Sequence, residues 1–142
     1  TVGPGVFHRE LGEILYRGCG VSRSIDSLTT AIDEIRALRQ RFWRELRVTG
    51  ETGRLNPELE KAGRVADFLE LAELMCLDAL DRDESCGAHF RVDHQSPDGE
   101  AVRDDDHWCF ASAWETRPDG TAVRHREPLR FTGVELATRN YQ

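Results

Sequence analysis

The sequence predicts a mainly α fold: a three-helix bundle of one short and two long helices over residues 1–84, followed by a small β-hairpin tail over residues 85–142 packed on the bundle. Three observations carry this expectation. Apolar residues recur at three-four spacing in three separate runs before residue 84. After Ser85 that spacing stops, and two Pro-Asp-Gly turns bracket short runs rich in aromatic and β-branched residues. A length of 142 residues suits one ordinary domain, long enough to bury a core without staples.

The first helix is predicted over residues 7–20, where Leu11, Ile14, Leu15 and Gly18 repeat at helical spacing and Gly18 and Gly20 break it. Gly3-Pro4-Gly5 ahead of it reads as punctuation and not as a phosphate loop, because no strand leads into it. Arg17-Gly18-Cys19-Gly20 lacks the same strand–turn–helix context.

Ser24 or Asp26 can cap a second helix that runs to about Arg47. Leu28, Ile32, Ile35, Leu38, Phe42 and Leu46 make one stripe for one partner surface. Arg36, Arg39, Arg41, Arg44 and Arg47 fill the other faces, interleaved with Asp33, Glu34 and Glu45, as a solvated or interface face requires.

The third helix starts at Asn56-Pro57-Glu58: an N-cap, a proline at the first helical position, and an acid facing the helix dipole. It is predicted to run to about Asp83. Leu59, Ala62, Val65, Ala66, Leu69, Ala72, Met75, Cys76, Ala79 and Leu80 form its stripe.

In the tail, Ser96-Pro97-Asp98-Gly99 and Arg117-Pro118-Asp119-Gly120 read as turns, with proline pre-set and glycine supplying the open backbone. Residues 108–114 read as a strand, and 121–125 and 129–132 as returning strands.

Composition narrows the function. Net charge is −7, which argues against phosphate-backbone binding and hence against nucleic acid as the partner. No apolar run approaches the ~20 residues of a membrane span, and no charged-then-apolar leader opens the chain. Of the basic side chains, Lys61 is the one lysine; the rest are arginine. Cys19, Cys76, Cys86 and Cys109 form no CxxC pair and no disulfide framework, and read as reduced thiols of a cytoplasmic protein. The start at Thr1 in mid-pattern is what a fragment would show.

The densest polar stretch runs from Glu84 to His94 and resumes at Arg103 to Trp108. Cys86, His89, His94 and His107 are zinc-type ligands, but Cys-x2-His has no second supporting pair. A Cys86/His89 or Cys86/His94 nucleophile pair is disfavoured by a helix C-terminus just upstream. Asp104, Asp105 and Asp106 lack the glycine of a calcium loop and read instead as partners for Arg91 or Arg103. The residues alone therefore describe a helical bundle with a β tail and no catalytic site of its own.

The same stretch carries a resemblance. Asp67 to Met75, then Glu84-Ser85-Cys86-Gly87-Ala88-His89-Phe90-Arg91, then Arg103-Asp104-Asp105-x-x-Trp108 resemble the C-terminal region of the succinate dehydrogenase/fumarate reductase flavoprotein subunit. Cys86, where arginine is commoner, matches a bacterial branch. Val21-Ser22-Arg23, Arg126-Glu127-Pro128-Leu129 and Arg139-x-Tyr141 resemble further parts of that region. L-aspartate oxidase shares a shorter version.

The resemblance implies a C-terminal domain that supports flavin-binding and capping domains of the same subunit. FAD and dicarboxylate would sit in those domains, and electrons would pass to an iron–sulfur subunit held by a membrane-anchor cytochrome b subunit. The parent would be cytoplasmic, attached peripherally to the inner face of a bacterial plasma membrane. The family's flavin-linking, proton-transferring and substrate-clamping motifs are absent from residues 1–142, so no catalytic, cofactor-binding or metal residue carries over. Glu84, Ser85, Cys86, Gly87, His89, Arg91, Arg103, Asp104, Asp105 and Trp108 remain as structural signature residues. Among them Arg91, Arg103, Asp104 and His89, with Asp93, are expected in charge-assisted pairs that pin the helix end to the tail. The alternatives are the C-terminal domain of L-aspartate oxidase and a stand-alone helical interaction module; a small zinc module is the lesser rival.

Overall fold

The computed structural model describes residues 2–138, in two compact units, Thr1–Asp81 and Arg82–Gln142. Arg139-x-Tyr141, one of the resemblance motifs, lies outside the described residues.

The first unit is the three-helix bundle. Helix α1 spans Pro4–Gly18, a two-residue strand β1 covers Ser22–Arg23, α2 spans Ile25–Glu45 and α3 Pro57–Asp81. Helix α1 starts earlier than its apolar spacing indicates. Gly3 is the extended N-cap and Pro4 stands at the first helical position, so Gly3-Pro4-Gly5 begins the helix instead of preceding it. Val6 N–H donates to Gly3 O at 3.1 Å.

Helix α2 is entered through a reciprocal cap. Ser24 Oγ accepts from Ser27 N–H and Ser27 Oγ accepts from Ser24 N–H, each at 3.0 Å. Ser27 Oγ also donates to Gly18 O at 3.1 Å, tying the end of α1 to the start of α2. The helices approach closely there, since a Cβ on Gly18 would overlap Ala31 Cβ. Asn56 caps α3: its Oδ1 accepts from Glu58 N–H at 3.1 Å and from Leu59 N–H at 3.3 Å.

Phe7, Leu11 and Ile14 of α1, Leu28, Ile32, Ile35, Leu38 and Phe42 of α2, and Val65, Leu69, Ala72, Cys76 and Ala79 of α3 make one buried core. Phe7 and Phe42 meet edge-to-face at 5.2 Å. The small residues of the α3 stripe let its backbone approach the other helices. Leu59 and Met75, expected in that stripe, are exposed at 61% and 45%. Met75 belongs with Phe68 and Leu71 to a second apolar line, which a bundle of only three helices does not cover.

The arginines of α2 face carboxylates on the neighbouring helices. Arg36 and Arg39 converge on Glu73 of α3 at 2.7 and 2.6 Å, and Arg41 holds Glu10 of α1 at 2.7 Å.

The second unit contains a two-residue strand β2 (Phe90–Arg91), a single helical turn α4 (Asp105–Trp108) and the hairpin strands β3 (Phe110–Thr116) and β4 (Ala122–Pro128). The hairpin pairs antiparallel from Phe110↔Pro128 to Thr116↔Ala122. Both predicted turns close as expected: Gly99 N–H donates to Ser96 O and Gly120 N–H to Arg117 O, each at 2.9 Å, with both glycines at positive φ.

Two strand boundaries differ from expectation. Trp108 ends α4 and is not in a strand, because the Asp104 carboxylate caps that turn through His107 N–H at 3.2 Å. Residues 129–132 form no strand; after Pro128 one bond remains, Leu129 N–H to Cys109 O at 3.1 Å, and β3 has no further residues to pair with.

Candidate functional site

Part of the signature set lies in the second unit about a buried cation, Arg91. Arg91 is 1% exposed. Its Nε and Nη2 grip both oxygens of Asp93 at 2.9 and 2.7 Å, a fork-to-carboxylate pair, and its Nη1 reaches Arg82 O at 3.4 Å. The guanidinium holds the Asp93 carboxyl below the usual carboxylate range, with burial opposing.

Why the backbone turns here is local. Cys86 and His89 exchange both backbone hydrogen bonds, at 2.8 and 3.0 Å, around Gly87 at φ +59 and Ala88. That tight reversal returns the chain so that Ser85 Oγ accepts from Arg91 N–H at 2.8 Å and donates to Arg91 O at 3.1 Å. Ser85 and Glu84 are buried, at 1% and 2% exposure. His89 is turned inward, with Nε2 2.9 Å from Arg82 O.

Arg82 organises the other side. It donates to Glu84 Oε1 at 2.7 Å, to Trp108 O at 3.3 Å and to Phe110 O at 3.0 Å. Its guanidinium lies 5.4 Å from the Trp108 ring and 5.3 Å from the Phe110 ring. Arg124 and Arg126 of β4 also stack on these rings, Arg126 at 4.8 Å from Phe110. Glu84 Oε2 accepts from Asp104 N–H at 2.9 Å, joining this layer to the start of α4. Arg103 and Asp105 form a separate, more exposed pair, Nη2 to Oδ2 at 2.8 Å, and the guanidinium lowers the Asp105 carboxyl.

Sequence reasoning expected Arg91, Arg103, Asp93, Asp104 and His89 in charge-assisted pairs without assigning partners; the structure pairs Arg91 with Asp93 and Arg103 with Asp105. Sequence reasoning left out Arg82. Its signal was available only as an arginine just past a helix end with two aromatics more than twenty positions on. His107 pairs with its own neighbour Asp104 at 2.9 Å, and His89 is engaged with a backbone carbonyl. The zinc set Cys86, His89, His94 and His107 is accordingly not brought to one point. Burial, then the Glu84 charge, pushes the Cys86 thiol up, away from the thiolate a nucleophile needs.

Among the described residues, the one group of His, Cys, Asp and Glu close enough to share an ion is Asp83, Asp93 and His94, with ligand atoms within 4.8 Å. Both carboxylates already have partners there: Arg91 on Asp93, and His94 Nε2 on Asp83 Oδ1 at 2.7 Å. A cation would also face the Arg91 charge. Nor do the glycine-rich stretches suit a flavin pyrophosphate, since Pro4 removes an N–H at the start of α1 and Gly18 is filled by the α2 contact. What the arrangement does chemically is neutralise and hold: the polar groups of this corner spend their hydrogen bonds on one another.

A protein-family model described as "Fumarate reductase flavoprotein C-term" matches residues 8–141. The chain belongs to this family. As a fumarate reductase flavoprotein C-terminal chain it is 30% identical, over 132 residues, to the fumarate reductase flavoprotein subunit of Escherichia coli strain K12, a match covering 93% of this chain and 21% of the relative. It is 32% identical over 103 residues to the succinate dehydrogenase flavoprotein subunit of Bacillus subtilis, covering 72% of this chain and 16% of that one. A solved structure titled "Quinol-Fumarate Reductase with Menaquinol Molecules" matches 95% of this chain and 22% of its own, at 26% identity and a TM-score of 0.80. The chain thus spans about a fifth of the length of relatives such as the E. coli subunit. In this family member no helix among the described residues is long and apolar enough to cross a membrane.

Proposed function

We propose that this chain is the C-terminal part of a flavoprotein subunit that interconverts succinate and fumarate. FAD and dicarboxylate bind in the preceding flavin-binding and capping domains, and electrons pass to an iron–sulfur subunit held at the cytoplasmic face of the membrane by an anchor subunit. The observation that carries the reading is the family match over residues 8–141, at a share of about a fifth of each relative's length. In this reading the chain's own contribution is structural. Glu84, Ser85, His89, Arg91 and Asp93 form a self-satisfied corner, and the tail and bundle together brace the flavin-binding domain. The exposed line Phe68, Leu71 and Met75 on α3, beside His8, Gly12 and Leu15 of α1, supplies apolar surface for such a contact.

The test is to express the complete gene product containing this sequence and measure bound flavin, succinate oxidation and fumarate reduction with artificial electron carriers. Flavin absorbance with both activities is the expected result. A product without flavin overturns the reading, and oxidation of L-aspartate without oxidation of succinate assigns the chain to the L-aspartate oxidase branch instead.

A further inference from the structure

Beside its buried stripe, α3 carries a second line at three-four spacing: Lys61, Arg64, Phe68, Leu71, Met75 and Asp78. Its three apolar members are between 41% and 53% exposed. Lys61 and Arg64 are exposed and Asp78 is half-buried. Helix α1 runs alongside, and between the two helices lies a cavity of about 140 Å³ lined by His8, Leu11, Gly12, Leu15, Phe68 and Met75. A Cβ on Gly12 would meet nothing within 4 Å, so the chain's own packing does not require a glycine there. The bare backbone leaves width for a neighbour's side chain.

We propose that this face joins two copies of the chain, with their α3 helices antiparallel about a two-fold axis beside Leu71. The order of charges along the line points to that occupant. Both cations stand at its start, the acid at its end, and the apolar residues between them. Arg64 and Asp78 are each seven positions from Leu71. An antiparallel copy centred there therefore sets Arg64 of each chain against Asp78 of the other. Phe68 and Met75, three positions before and four after Leu71, meet within one residue of register, ring against thioether. A parallel copy would instead set like charges together at both ends.

Within one chain Arg64 pairs with Glu60 at 2.6 Å and Lys61 with Glu58 at 2.7 Å. These are exposed pairs along one helix, which hold their cations weakly and leave N–H donors for a second carboxylate. Arg9 of α1 stands at the same basic end of the face. A two-fold pair closes on itself: each copy covers the other's apolar line, and no site is left for a third. One helix seam is a small interface, so the expected Kd is on the order of 10 μM. The flavin-binding domain and a second copy exclude each other on this face. Pairing therefore belongs to the chain without that domain, and its outcome is independent of the flavoprotein reading.

Sedimentation equilibrium of the 142-residue chain, at concentrations bracketing that Kd, is the test. The expected mass rises with concentration from 16.1 kDa toward twice that value. Arg64→Glu and Asp78→Arg should each weaken pairing by about tenfold or more. An equimolar mixture of the two should restore it, because both cross-chain pairs are then opposite in sign. In a Cys86→Ser, Cys109→Ser background, Leu71→Cys should link two copies by a disulfide on mild oxidation. Lys61→Cys should not, since those two positions stand about 30 Å apart in the antiparallel pair. A single-chain mass up to about 1 mM overturns the proposal. So does a dimer that ignores both charge reversals, or one that Leu71→Cys fails to link. Should Asp78→Arg not fold, the Leu71→Cys link and the loss of pairing in Leu71→Glu decide.

Discussion

Replacing Arg91 tests the corner at its centre. In Arg91→Ala the guanidinium loses two charge-assisted bonds to Asp93, at 2.9 and 2.7 Å, and a weaker one to Arg82 O. Removing one partner of a buried ion pair costs about 3–5 kcal/mol when the other charge is stranded. Asp93 is not fully stranded, because its side chain is 39% exposed and can take up water, and Arg82 O keeps its contact with His89 Nε2. The expected loss is therefore about 2–4 kcal/mol, of which Arg91→Met, which keeps the stem's packing, should recover about 1 kcal/mol. Urea unfolding at pH 7 measures it, followed by fluorescence of Trp108 and Trp114 after the exposed Trp43 is changed to Phe.

The pH dependence gives a second reading of the same substitution. Arg91 depresses the Asp93 carboxyl, so the pair's stabilisation is present above the unfolded carboxylate value of about 3.9 and is lost as pH falls through the depressed folded value. The parent chain should lose this increment on acidification below about pH 4, and Arg91→Met should not. A stability change under about 0.5 kcal/mol in Arg91→Ala, or an unchanged acid limb in Arg91→Met, would refute the view that this pair holds the corner together.

Other substitutions probe separate supports. Glu84→Ala removes a buried acceptor of both Arg82 and Asp104 N–H and should cost about 2–4 kcal/mol in the same urea assay, with Glu84→Gln intermediate. Gly18→Ala drives a Cβ into Ala31 and should cost about 1–3 kcal/mol in thermal melts, whereas Gly63→Ala, where a Cβ meets open space within α3, should be neutral or stabilising. Cys86, its thiol raised by burial and Glu84, should alkylate with iodoacetamide several-fold more slowly at pH 8 than glutathione; an equal or faster rate counts against that environment.

Much of the fold was readable because its signals are local. Asn56-Pro57 ahead of an apolar repeat specifies a helix start through local hydrogen bonds, the Asn56 side chain accepting from Glu58 and Leu59 N–H. Arg117-Pro118-Asp119-Gly120 specifies a turn through the fixed proline φ and the open glycine backbone. Where local signals compete, the reading slips. Gly3-Pro4-Gly5 has the composition of a loop, but a proline at the first helical position and a glycine cap serve a helix equally well. Leu59 and Met75 have the right character for the core, but α3 carries apolar residues on two faces and the bundle covers only one.

By itself, then, the sequence determined the three helices, the two tight turns, the absence of an apolar membrane-crossing run and the family resemblance, since each depends on residue types within one or two turns of chain. Only the tertiary structure decided the rest: that Arg82 joins Glu84 to Trp108 and Phe110, that Arg91 is gripped by Asp93 from within, and that Cys19 and Cys76 are buried in one core. Arg82 stands more than twenty positions from Trp108 and Phe110. Their contacts are set by where helix ends and turns aim side chains in space, a quantity that residue spacing does not encode.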